Sequence, residues 1–190
     1  MNCIEIRDLE IKYGEKVVLS GFSADIPIGK RTCIMGESGC GKTSLINVVL
    51  GLVKPTKGTV SGVPEKISAV FQEDRLSEDH TVFSIAGIAT KRSKEEINEV
   101  LDGLGLTDVS DKKVKNLSGG QKRRTAVTRA LLADFDLLIL DEAFSSLDAE
   151  TKAAVSKFIT EKTVGKTVVS VTHDKDEPLL TDAGIIEIGS

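Results

Sequence analysis

Gly36-Glu37-Ser38-Gly39-Cys40-Gly41-Lys42-Thr43 constrains this chain more than any other stretch. It has the form G-x-x-x-x-G-K-[ST]. The apolar run Arg31-Thr32-Cys33-Ile34-Met35 precedes it, and Ser44-Leu45-Ile46-Asn47-Val48-Val49-Leu50 follows. A buried strand, a glycine loop and a helix in that order form the context of a phosphate-binding turn. The three glycines let successive backbone N–H groups converge on phosphate oxygens, and the helix start adds partial positive charge. In such a loop Lys42 reaches the β- and γ-phosphates and the Thr43 hydroxyl ligates Mg²⁺. The bland alternative is a glycine-rich turn that binds nothing. The flanking strand and helix favour a nucleoside triphosphate.

A second stretch points the same way. Leu137-Leu138-Ile139-Leu140 is an unbroken apolar run, as in a parallel strand buried on both faces, and it ends in Asp141-Glu142. Two acids there are costly to desolvate unless a cation or a proton-transfer role compensates. With a phosphate loop upstream, Asp141 is the expected Mg²⁺ ligand, and Glu142 is placed to orient a water.

Around these two strands the chain organises itself. Ile4, Ile6, Leu9, Ile11 and Tyr13 alternate with polar residues, with a one-residue slip at Asp8 that predicts a bulge. A turn at Gly14-Glu15 returns the chain through residues 17–26, an antiparallel start. Short strands are expected at 57–62 and 67–71, the second running into Gln72-Glu73-Asp74. Open α/β sheets place chemistry at such strand ends, though local sequence does not choose Gln72 over Glu73. Residues 81–106 read as helical. Ser93 and Glu96 form a capping box, and Ile97, Val100, Leu101 and Leu104 make one apolar stripe, the core of a small helical lobe. Leu117-Ser118-Gly119-Gly120-Gln121 opens another helix, with Ser118 as N-cap and Gln121 closing a second capping box. Two glycines in a first turn cost helix stability. Either this is a plain junction, or something approaches the bare backbone at a helix N-terminus suited to anions. Asp148 is expected to cap a helix over 149–162 whose buried face is Ala154, Val155, Phe158 and Ile159. Strands at 167–171 and 185–188 complete the set, the first running into Thr172-His173-Asp174.

Composition adds bounds. At 190 residues the chain fits one domain with a small lobe attached. The net charge of −4 gives no sign of a nucleic-acid surface, and no uncharged apolar run approaches the ~20 residues of a membrane span. Residues 1–5 lack the charged and hydrophobic regions of a signal peptide. The cysteines at 3, 33 and 40 have no metal-ligand spacing. Cys3 and Cys33 read as small strand hydrophobes. Cys40 sits in the phosphate loop, where a thiol is oxidation-sensitive only if its pKa is lowered. The expectation is a cytosolic chain without disulfides.

Taken in order, these stretches make the chain resemble the ATP-binding cassette ATPases, the nucleotide-binding subunits of ABC transporters. Residues 36–43 match the Walker A loop, residues 137–141 with Glu142 match Walker B and the catalytic glutamate, and residues 117–121 are the LSGGQ signature. Gln72 falls at the Q-loop, residues 145–148 at the D-loop and His173 at the switch histidine. Tyr13 matches the aromatic that stacks on adenine. The resemblance implies a P-loop NTPase core of the α/β class with a mostly parallel sheet flanked by helices. An N-terminal antiparallel β subdomain and a small helical subdomain complete it. The chain is then a single ABC ATPase domain over 1–190, with residues 1–72 and 117–190 as nucleotide-binding core and 73–116 as helical signature subdomain.

The same resemblance implies ATP and Mg²⁺ as cofactors. Tyr13, Gly36, Glu37, Ser38, Gly39, Cys40, Gly41, Lys42, Thr43 and Ser44 contact the nucleotide from one side, and Ser118, Gly119, Gly120 and Gln121 from a partner cassette. Thr43, Asp141 and, through water, Gln72 hold the metal. Glu142, His173, Lys42 and Gln72 are the catalytic set. The implied partners are a second ABC ATPase subunit, with a homodimer expected, and an integral membrane permease. That places the chain in the cytoplasm, peripheral at the inner face of the membrane. No nucleic-acid partner is implied. The permease groove is expected to include Phe71, Leu76, Val82 and Phe83.

Residues 71–76 resemble the nitrate/sulfonate/taurine-type importer ATPases, and Phe144 is similar to importer cassettes. Departures are Ala143 where proline is usual, a short segment between Gln72 and Ser118, an abbreviated 58–71, and Pro178 in the helix after His173. The alternatives are a soluble, non-transport ABC ATPase acting on DNA or ribosomes and, further off, a small-molecule kinase. The kinase gives LSGGQ no role.

Overall fold

The N-terminal hairpin shows how a sequence irregularity becomes structure. In the computed structural model, which describes residues 2–88, 90–174 and 183–189, β1 (Cys3–Tyr13) pairs antiparallel with β2 (Lys16–Pro27). Ile4 faces Ile26 and Ile6 faces Ala24, but Leu9 then faces Phe22, so one residue is inserted at Asp8, whose φ is +47°. The bulge returns Leu9 to the buried face; a strict alternation would have put Asp8 there. The Asp8 N–H, freed from the ladder, donates to Ser23 Oγ at 2.9 Å. β4 (Lys57–Ser61) adds to the other edge of β1 and completes a three-stranded antiparallel sheet.

The second sheet carries the chemistry. β3 (Arg31–Met35), β5 (Ile67–Val70), β6 (Leu137–Asp141), β7 (Thr167–Thr172) and β8 (Gly184–Glu187) lie in the order β5-β6-β7-β3-β8, and every pair is parallel. The expected α/β organisation, a parallel sheet with an antiparallel β subdomain and flanking helices, is present. All five residues of β6 are buried. Leu137 and Ile139 join a core with Ile4, Ile34, Leu45 and Val169, while Leu138 and Leu140 join the opposite one. Period-2 geometry thus feeds one strand into two cores.

The first core is covered by the antiparallel sheet and α1 (Lys42–Val49). The second is covered by α2 (Val82–Ile88), α3 (Lys94–Gly103), α4 (Gly119–Leu132) and α5 (Ala149–Lys162). Both expected capping boxes form. Ser93 Oγ accepts from the Glu96 N–H at 3.2 Å and Ser118 Oγ from the Gln121 N–H at 3.3 Å, each with the reciprocal bond. Asp148 caps α5 by accepting from the Thr151 N–H at 2.9 Å.

Two packing expectations are corrected. Ala154 is exposed, and the buried face of α5 is Val155, Ser156 and Ile159, with Phe158 half-buried. The face centres on Val155 and Ile159, and a serine is small enough to pack beside them. Val82 is fully buried rather than part of a groove. Residues 81–83 are tied to 110–113, with the Val82 and Phe83 N–H groups donating to the Lys112 and Ser110 carbonyls. Leu76 and Phe83 are half-buried against the same core. Pro178 lies outside the described residues.

Candidate functional site

β3, β6 and β7 are adjacent and parallel, so their C-terminal ends gather the phosphate loop, the Asp141-Glu142 pair and His173 at one sheet edge. At the loop's end Gly41 is the N-cap of α1, with φ +102°, a conformation an L side chain adopts only under strain. A Cβ there would also lie 3.0 Å from the Val18 carbonyl oxygen. The Lys42 side chain, 5% exposed, folds back over the loop and donates to the Gly36 and Glu37 carbonyls, both at 2.8 Å. The ammonium therefore bridges the loop backbone with two of its three N–H donors.

Asp141 is 1% exposed. Its Oδ2 accepts from Thr43 Oγ1 at 3.0 Å, and its Oδ1 is buried without a hydrogen bond. Burial pushes its pKa up. The Thr43 hydrogen bond opposes that, and the neighbouring Glu142 charge adds to it. An unpaired carboxylate oxygen in a dry site beside a hydroxyl suits a hard, oxygen-seeking cation. Among the described residues no cluster of three or more His, Cys, Asp or Glu could hold a metal by itself. A cation there would have Asp141 and Thr43 as its protein ligands.

Glu142 is the first residue past β6 and has φ +49°, sparsely populated for a residue with a side chain. Its N–H extends the ladder to the Val171 carbonyl at 2.9 Å, which fixes the turn. Its side chain is 18% exposed, and Oε1 lies 3.0 Å from His173 Nδ1. His173 lines two clefts. One, of about 700 Å³, it shares with Gly36, Glu37 and Ser38; the other, of about 450 Å³, with Glu142, Ser145, Lys152 and Asp174. Ala143 and Phe144 are both buried in the helical-side core, so the methyl at the usual proline position serves as packing.

The remaining predicted residues are more dispersed. Ser44 sits in the first turn of α1, and Cys40 is half-buried against the first core. Tyr13 ends β1 opposite Lys16 and is 48% exposed. The same hairpin brings Val17 and Val18 to a cleft shared with Gly39 and Cys40. Gln72 is exposed just past β5, and its carbonyl accepts from Arg123. Ser118 and Gly119 are exposed, and neither cleft lined by His173 includes residues 118–121. The Gln121 side chain is spent on the cap, accepting from the Ser118 N–H at 3.0 Å. A Cβ on Gly119 would meet nothing within 4 Å among the described residues, so none of them requires glycine there.

Sequence reasoning missed Arg123 and Arg129. From α4, Arg123 donates to the Phe71 and Gln72 carbonyls, and Arg129 to the Arg75 carbonyl at 2.8 Å. The one signal available was a run, Lys122-Arg123-Arg124, which reads as ordinary solvated charge.

The ABC transporter family profile matches residues 19–145. Over 180 residues the chain is 38% identical to the aliphatic sulfonates import ATP-binding protein SsuB 2 of Paraburkholderia xenovorans (strain LB400), a match covering 93% of this chain and 72% of that protein. Over 207 residues it is 31% identical to the taurine import ATP-binding protein TauB of Roseobacter denitrificans (strain ATCC 33942 / OCh 114), covering 98% and 77% respectively. Among solved structures, the dimeric bacterial ABC transporter cassette MJ0796 superposes with a TM-score of 0.86 at 27% identity, over 97% of this chain and 94% of that one. The chain belongs to the ABC transporter family and is one of its ATPase cassettes.

Proposed function

We propose that this chain is the ATP-hydrolysing subunit of an ABC importer, working as a head-to-tail pair of cassettes. The observation that carries the reading is the tip of α4, whose capped first turn is exposed at Ser118 and Gly119, where a Cβ on Gly119 would meet nothing within 4 Å among the described residues. A partner cassette's nucleotide accounts for it. The phosphate loop of one copy cradles ATP, and Ser118 with the Gly119 and Gly120 backbone of the other closes over the γ-phosphate. In this reading residues 1–72 and 117–190 form the nucleotide-binding core and residues 73–116 the helical signature lobe.

Within the site each side chain has a task. Residues 36–44 bind the phosphates through backbone N–H groups, and Lys42 trades two loop carbonyls for phosphate oxygens. Tyr13 offers an exposed ring to the base. Thr43 and Asp141 would hold Mg²⁺, with Gln72 acting through water; when bound, the ion neutralises charge on the phosphates. Glu142 orients the attacking water and accepts its proton, and His173, already within 3.0 Å of Glu142, holds that carboxylate and the γ-phosphate in register. Phosphoryl transfer to water needs positioning and charge stabilisation, which is what this constellation supplies.

Import rests on the sulfonate and taurine import relatives, and it implies a permease partner and a place at the inner face of the membrane. No helix among the described residues is long and apolar enough to cross a membrane. Co-purification with an integral membrane permease tests that arm.

For the paired site, Gly119→Asp is the informative variant. An acid in the first turn of α4 favours the helix, so the melting temperature should stay level or rise. A negative charge facing a partner's γ-phosphate should lower hydrolysis by about 10²-fold, since like charges juxtaposed at an interface cost several kcal/mol. Wild-type hydrolysis in Gly119→Asp would remove the α4 tip from the site.

A further inference from the structure

α4 begins at the signature tip, and one turn into it stands a buried arginine. Arg123 is 5% exposed, yet its guanidinium donates from Nη1 to the Phe71 carbonyl at 2.7 Å and from Nη2 to the Gln72 carbonyl. Nη1 also lies 3.3 Å from Asp74 Oδ1. Further along the helix, Arg129 holds the Arg75 carbonyl at 2.8 Å, and the Arg75 guanidinium stacks 4.0 Å over the Phe71 ring. The backbone on both sides of Gln72 is therefore pinned to one helix.

The contact is not built for stability alone. Arg123 Nε and Asp74 Oδ1 are both buried without a hydrogen bond. A buried charge pair of this kind is poor value next to apolar packing, and its best-attested use is to fix a register. The planar fork of a guanidinium holds two carbonyls in one fixed relative geometry, which the flexible ammonium of a lysine does not impose.

We propose that Arg123 is a positioning residue that fixes Gln72 relative to the α4 tip, so that the Q-loop and Ser118 move as one piece when the nucleotide site closes. This rests on the reading of Gln72 and Ser118 as nucleotide-site residues. Arg123 acts through Gln72 and touches no reacting atom.

The test is a double-mutant cycle on the purified chain, comparing Arg123→Met, Arg123→Lys and Gln72→Ala with the two combinations. Readouts are kcat, the Mg²⁺ concentration at half-maximal rate, ATP affinity without Mg²⁺, and the melting temperature. Arg123→Met keeps an unbranched apolar stem and removes the donors. It should lower kcat by about 10–100-fold, the effect expected of a misplaced group near the chemistry, and raise the Mg²⁺ midpoint. ATP affinity without Mg²⁺ should change by less than about threefold, because that binding does not use Gln72. Arg123→Lys should fall between Arg123→Met and wild type and carries the test if Arg123→Met does not fold.

In the Gln72→Ala background either substitution should cost less than about threefold more, since the route it acts through is already gone. Effects that multiply in the combinations, or a wild-type kcat in Arg123→Met beside an impaired Gln72→Ala, would overturn the proposal while leaving the site intact. A wild-type kcat in Gln72→Ala would overturn it differently, by removing Gln72 from the site.

Discussion

Asp141 is a buried carboxylate with only one of its two oxygens hydrogen-bonded. Its carboxylate is dry, half-satisfied by Thr43, and pushed up in pKa by burial. A carboxyl whose folded pKa is raised binds its proton more tightly when folded. Its contribution therefore favours the fold at low pH and is lost as pH rises through the folded value. Asp141→Asn keeps an acceptor for Thr43 and removes the buried charge. In metal-free buffer the variant should melt above wild type at pH 7, by about 2–4 °C for each kcal/mol relieved in a chain this size, and the gap should close towards pH 4. The same variant should lose Mg²⁺-dependent hydrolysis. Thermal melts across that range check it, and an Asp141→Asn protein less stable than wild type at neutral pH would contradict the strain described here. At this scale the site was largely legible in the sequence. Thr43 and Asp141 bond to each other although 98 residues separate them. Only the motif context joins them, because local sequence says nothing about distance in space. The partners of Arg123 lie 51 and 52 residues away, with no motif to announce them.

At the scale of elements, caps and registers were the most readable features, because a cap needs only residues three apart. The two capping boxes and the Asp8 bulge follow from spacing alone. Burial around helices was less readable. Ala154 was misjudged because an apolar residue within a stripe does not mark the stripe's centre, and Val82 because its cover comes from residues 110–113. The Asp148 cap gives a pH-dependent consequence. Hydrogen bonds from the Thr151 N–H and hydroxyl hold the Asp148 carboxyl below its ordinary pKa, so its contribution is present above the ordinary carboxylate range and is lost as pH falls through the folded value. Asp148→Ala should melt below wild type at pH 7, and the two curves should converge as pH falls below the ordinary range. A difference that persists unchanged at low pH would mean that the α5 cap does not depend on the charge.

The whole molecule is a parallel sheet with a different core on each face and its chemistry along one edge. The cradle, the Asp141-Glu142 pair and His173 share that edge, while the α4 tip, exposed at Ser118 and Gly119, does not line their clefts. That one copy holds two half-sites is the central proposal. Its most direct test is the solution mass of Glu142→Gln, a variant that should bind ATP while turning over about 10²–10⁴-fold more slowly, as expected for loss of a general base. Light scattering on that protein should give a monomer without nucleotide and twice that mass with MgATP. A monomer in saturating MgATP, together with full hydrolysis by wild-type protein held monomeric, would contradict the account.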